Sequence, residues 1–149
     1  MKVLVVESNP ILLKILTIRL SEAKYTVYSS LDGEHVHELI AHIKPDILIT
    51  KLKLKYASGF ELIKLAKSKF PNIFIVVITK LTQEAIINDL KKSGVSKCIK
   101  RPFNIEQILT AISEFKSKQI TQPALLDLPE SMPLYKYPVQ LYKDGTHEL

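Results

Sequence analysis

Lys2-Val3-Leu4-Val5-Val6-Glu7-Ser8-Asn9-Pro10 is the stretch that decides the fold. The apolar run from Val3 to Val6 is too continuous for a strand with one solvated face, so it reads as a strand covered on both sides. Glu7 ends the run. Asn9 followed by Pro10 then marks a helix start, because asparagine caps the first free N–H groups and proline suits a turn where its missing N–H is not needed. The same order recurs along the chain. Further strand runs fall at residues 25–29, 47–51, 73–78 and 96–99, and segments of helical period at 10–23, 33–43, 58–70, 82–93 and 104–116. Gly94 reads as a helix-ending glycine, and Asn104 as the cap of the last helix, with Glu106 favourable to its dipole. In that helix Ile105, Ile108, Leu109, Ile112 and Phe115 form one apolar stripe, which predicts packing on a sheet. Five strand–helix repeats imply right-handed crossovers and a doubly wound α/β fold, a five-stranded parallel sheet with helices on both faces. Ligands in such sheets sit at the carboxyl ends of the strands, beside the point where strand order reverses.

Composition narrows the function classes. A chain of 149 residues with 46% apolar content supports one domain with a substantial core. Cys98 is the single cysteine, so no intrachain disulfide can form and no paired Cys or Cys/His spacing suggests zinc. A reducing, cytoplasmic setting is expected, and no apolar run has the length of a membrane span or signal-peptide core. The net charge of +6 admits an acidic partner, nucleic acid or anionic lipid without identifying one. Glu7-Ser8-Asn9-Pro10 contains no glycine, which argues against a phosphate-binding loop after the first strand, and no nucleophile–base arrangement supports an enzyme. His35, His37 and His42 share one segment but cannot converge on one metal from a single helix face.

An ordered set of short pieces carries a resemblance over residues 1–116. They are Val3-Leu4-Val5-Val6-Glu7-Ser8-Asn9-Pro10; Pro45-Asp46-Ile47-Leu48-Ile49 with Gly59-Phe60-Glu61-Leu62 downstream; Val76-Val77-Ile78-Thr79; and Ile99-Lys100-Arg101-Pro102-Phe103. In order and spacing this resembles the receiver domain of two-component response regulators. The resemblance implies a sheet in strand order 2-1-3-4-5, a role in bacterial signalling, and a pocket in which two acids and an aspartate bind magnesium and accept a phosphoryl group. The matching positions here are Glu7, Ser8 and Lys51, with Thr79 at the family's hydroxyl switch position, Arg101 in place of the usual lysine, and Cys98 where an aromatic switch residue is common. One acid is kept; the second is serine and the acceptor is lysine.

Those changes have chemical consequences. Magnesium requires hard oxygen ligands, and this set offers one carboxylate against two cations. A lysine ammonium cannot form an acyl phosphate. The expectation is an atypical receiver, a pseudo-receiver with no metal or other cofactor, in which Lys51 pairs with Glu7 and fixes the pocket. An alternative comes from the same edge: Lys51, Lys53, Lys55, Lys80 and Arg101 turn a rim that is acidic in working receivers into a basic one, suited to a regulatory domain that binds an anionic ligand or an acidic partner there. The resemblance also implies a contact face on helix four, strand five and helix five, where Ile87, Lys91, Cys98 and Lys100 would meet a signalling partner, acidic in character, or a second copy of the chain.

Residues 117–149 differ in composition, with half of the chain's prolines and half of its tyrosines. They read as a tail rather than a second domain, too short and proline-rich for a helical DNA-binding domain, so nucleic acid is not the expected partner. Tyr135, Tyr137, Val139 and Leu141 alternate with polar residues and Pro138, a pattern suited to an edge strand. The sequence reading is a phosphorylation-independent interaction module.

Overall fold

The structure, a computed structural model, describes residues 1–126. Five strands alternate with five helices: β1 (Lys2–Glu7), α1 (Pro10–Glu22), β2 (Thr26–Leu31), α2 (Val36–Ile43), β3 (Ile47–Lys51), α3 (Gly59–Lys69), β4 (Phe74–Thr79), α4 (Glu84–Lys92), β5 (Lys97–Lys100) and α5 (Ile105–Leu126). All strand pairs are parallel and the order is β2-β1-β3-β4-β5. The chain divides into two units, Met1–Leu109 and Thr110–Leu149, and the second, as far as it is described, continues α5. The boundary expected at residue 116 therefore falls within a helix that runs on to Leu126. The pattern at Tyr135–Leu141 lies outside the described residues.

Strand alternation sorts the core into two faces. Leu4, Val6, Leu48, Ile75 and Val77 pack with Val36, Ile40 and Ile43 of α2, Leu62, Ile63 and Ala66 of α3, and Leu90 of α4 in one cluster. Val3, Val5, Ile47, Ile49, Val76 and Ile78 alternate with these and are equally buried, as are Leu13, Leu16 and Leu20 of α1. Burial on both faces explains the continuous apolar runs of β1, β3 and β4. The two edge strands differ: β2 is largely exposed, and β5 places exposed Lys97 and Lys100 along its edge, a charge pattern that discourages pairing with another sheet.

Local chemistry sets the element ends. The Asn9 side chain accepts hydrogen bonds from the N–H groups of Ile11 and Leu12 at 2.9 and 3.2 Å, with Pro10 opening α1 as expected. Helix α2 starts at Val36, three residues later than the periodicity predicts, because Asp32, Gly33 and His35 all adopt positive φ and form a turn first. At Gly59 the start of α3 lies directly on the end of β3: a Cβ there would collide with the Lys51 carbonyl and approach the Leu52 Cα to 2.6 Å. Only glycine permits that contact. Strand order reverses at β1, whose neighbours are β2 and β3, so the crevice beside the switch point opens between the ends of β1 and β3.

Candidate functional site

Glu7, Lys51 and Thr79 end β1, β3 and β4, and Arg101 directly follows β5, so the parallel topology delivers all four to one edge. Glu7 is 1% exposed. A buried carboxylate needs donors around it, and Glu7 has them: its Oε2 accepts the N–H of Ser8 at 2.7 Å and of Asn9 at 2.9 Å, while its Oε1 accepts from Nη2 of Arg101. Arg101 is held in register by its own N–H, which donates to the Thr79 carbonyl at 2.9 Å.

The expected Lys51–Glu7 ion pair is replaced by another arrangement. Arg101 forms the salt bridge with Glu7, and the Lys51 ammonium instead donates to the Ser8 hydroxyl at 2.5 Å. Ser8 Oγ lies 3.4 Å from Glu7 Oε2, so the lysine reaches the carboxylate only through the serine. The guanidinium, with several donors in a fixed plane and weaker hydration, is the better partner for a buried carboxylate. Both Glu7 oxygens are thus engaged by donors, and among the described residues no group of three or more His, Cys, Asp or Glu side chains could hold a metal ion. The donor set does not suit magnesium.

In front of these residues lies a cleft of about 760 Å³. Lys51, Lys53, Lys80 and Arg101 line it, and Glu7 is its single carboxylate among the described residues. Thr79 is buried in its wall; its Oγ1 accepts the Leu81 N–H at 3.0 Å, and its hydroxyl proton has no acceptor among the described residues. Lys55 does not line the cleft and lies over the Tyr56 ring, 5.1 Å from its centroid. The cleft is also lined by the apolar residues Leu52, Leu54, Ala57 and Phe60.

The response regulator receiver domain model matches residues 3–113. The chain belongs to this family. Among curated relatives of this receiver domain, hybrid signal transduction histidine kinase D of Dictyostelium discoideum is 31% identical over 129 residues, 83% of this chain and 8% of that protein. Chemotaxis protein CheY of Thermotoga maritima is 25% identical over 114 residues, 76% of this chain and 95% of that one. The chain thus spans under a tenth of the first relative and nearly all of the second. A two-component response regulator from Clostridium difficile superposes with a TM-score of 0.74 at 18% identity, covering 80% of this chain and 98% of that structure, which supports the fold. No described helix of the receiver domain is long and apolar enough to cross a membrane.

The remaining site residues lie away from the cleft. Lys91 of α4 and Lys100 of β5 are exposed, whereas Ile87 and Cys98 are half-buried. Burial pushes the Cys98 thiol up from its ordinary pKa, with the nearby Lys91 charge opposing the shift. Among the exposed apolar side chains, Ile11, Ile15 and Ile18 of α1 are 72%, 41% and 47% exposed and, at spacings of four and three, share one helix face. The signal for this stripe is in the sequence, since α1 has apolar residues on every side and one sheet face can cover only part of them.

Proposed function

We propose that this receiver domain works in two-component signalling without aspartyl phosphorylation, as a pseudo-receiver that acts by binding partners. The observation that carries this reading is the Lys51 ammonium at the end of β3, hydrogen-bonded to Ser8 beside a Glu7 carboxylate already held by Arg101. By the resemblance, position 51 is where other receivers carry the acceptor aspartate. A lysine there offers no carboxyl oxygen for a phosphoryl group, and its charge opposes a divalent cation in the same space. Both the metal and the acceptor chemistry fail on the same residue.

A partner surface needs apolar anchors as well as charge. The stripe of Ile11, Ile15 and Ile18 supplies exposed apolar side chains, while Lys91 and Lys100 supply positive charge on α4 and β5. An acidic signalling protein, or a second copy of the chain meeting the α4–β5–α5 face, fits the latter.

The test is an amide NMR titration with magnesium and beryllofluoride, a phosphoryl mimic, followed at Glu7, Lys51, Thr79 and Arg101. No saturable, magnesium-dependent shift is expected, and such a shift would overturn the reading. The double variant Ser8→Asp/Lys51→Asp restores two carboxylates beside Glu7, and it should acquire magnesium-dependent shifts that the natural chain lacks. A second reading, an anionic ligand in the cleft, is favoured by the four cations that line it.

A further inference from the structure

We infer that the cleft is a non-covalent binding site for a small phosphate monoester carried on a flat apolar ring. The inference rests on the phosphorylation-independent reading, since it needs the space in front of Lys51 to be free of a metal and of a phosphoryl aspartate.

Charge selects the head group. Four cations face one carboxylate, and Arg101 together with two backbone N–H groups already neutralises that carboxylate. Lys53 and Lys80 have no ion pair among the described residues, and Lys51 has only the neutral Ser8 hydroxyl. An uncompensated cluster of ammonium groups favours a ligand with more than one negative charge, and a phosphate monoester carries about −1.5 to −2 at neutral pH. The hydroxyl proton of Thr79, without an acceptor among the described residues, adds a neutral donor beside them.

Shape and polarity select the body. A bare phosphate ion would leave most of a cleft of about 760 Å³ to water, against apolar walls from Leu52, Leu54 and Phe60. The volume lies within the range of roughly 300–1,000 Å³ usual for small-molecule sites, which combine apolar walls with a few placed polar groups. Phe60 is 46% exposed although it lines the cleft, so its ring face is available for stacking.

The wall is also built in advance. The loop after β3 is closed by an antiparallel bridge between Lys53 and Ser58, and is tied to the β2–α2 turn by the Tyr56 N–H donating to the Asp32 carbonyl at 2.9 Å. The Lys53 backbone therefore needs no reordering when a ligand arrives, which lowers the entropic cost of binding.

Phenyl phosphate, inorganic phosphate and phenol distinguish the contributions when titrated into the full chain without metal, with amide NMR as the readout. Phenyl phosphate should give saturable shifts at Lys51, Lys53, Thr79 and Lys80, with affinity about tenfold or more above that of inorganic phosphate, phenol remaining weaker still. Affinity should fall as salt rises. It should also drop in Lys53→Gln/Lys80→Gln and, separately, in Phe60→Ala; these side chains are exposed or half-buried, and the unchanged remainder of each spectrum reports that the variant is folded. Absence of saturable binding, or equal affinity for phenyl and inorganic phosphate, would overturn this inference and leave the phosphorylation-independent reading standing. Binding that requires magnesium would overturn both.

Discussion

The inner end of the cleft and its outer rim are built from the same kinds of side chain and behave differently. At the inner end the buried Glu7 carboxylate is engaged by Arg101 and by two backbone donors, and the Lys51 ammonium is tied to the Ser8 hydroxyl beside it. At the rim Lys53 and Lys80 are exposed and have no carboxylate partner among the described residues. The contrast separates two uses of positive charge. Inside, it holds geometry, because desolvation offsets much of the attraction and what remains is fixed position. Outside, it stays hydrated and available to whatever enters.

Arg101→Met breaks the comparison most strongly. It leaves Glu7 buried with two backbone donors and no counter-charge, and should lower stability by about 3 kcal/mol, the low end for a broken buried pair because Arg101 keeps some solvent contact; urea denaturation measures it. A loss under about 0.5 kcal/mol would show that the inner end is no more structural than the rim. Ser8→Ala removes the hydroxyl between Lys51 and Glu7 and should cost about 1 kcal/mol by the same measurement. Lys53→Gln/Lys80→Gln should change stability by less than about 0.5 kcal/mol. A larger destabilisation there would mean that the rim lysines also hold the fold.

Much of this site was legible in the sequence because parallel topology does the convergence. Once 2–6, 47–51 and 73–78 are read as buried strands, Glu7, Lys51 and Thr79 must meet at one edge, and the structure places them there. The strand order was likewise available from the resemblance and is the observed one. The pairing inside the site was not legible. Whether Glu7 meets Lys51 or Arg101 depends on side-chain reach across the edge, which a one-dimensional pattern does not encode. The same applies to Lys55, which the sequence groups with the rim and the structure lays over Tyr56. The late start of α2 escaped because helical periodicity at 33–43 says nothing about three residues at positive φ. At α1 the information was present but ambiguous: apolar residues on every side of the helix announce an uncovered stripe without saying which side remains open.

Gly59 has a kinetic consequence. Because α3 begins in direct contact with the Lys51 carbonyl at the end of β3 and with Leu52, and Gly33 meets Ala57 so closely that a Cβ at position 33 would lie 2.8 Å away, the loop from Leu52 to Ser58 is tightly packed near both of its ends. For the phosphate monoester inferred above this means a wall in place before the ligand arrives, and the expected outcome is association set by diffusion and by the field of the rim lysines, with an on-rate that falls as salt rises.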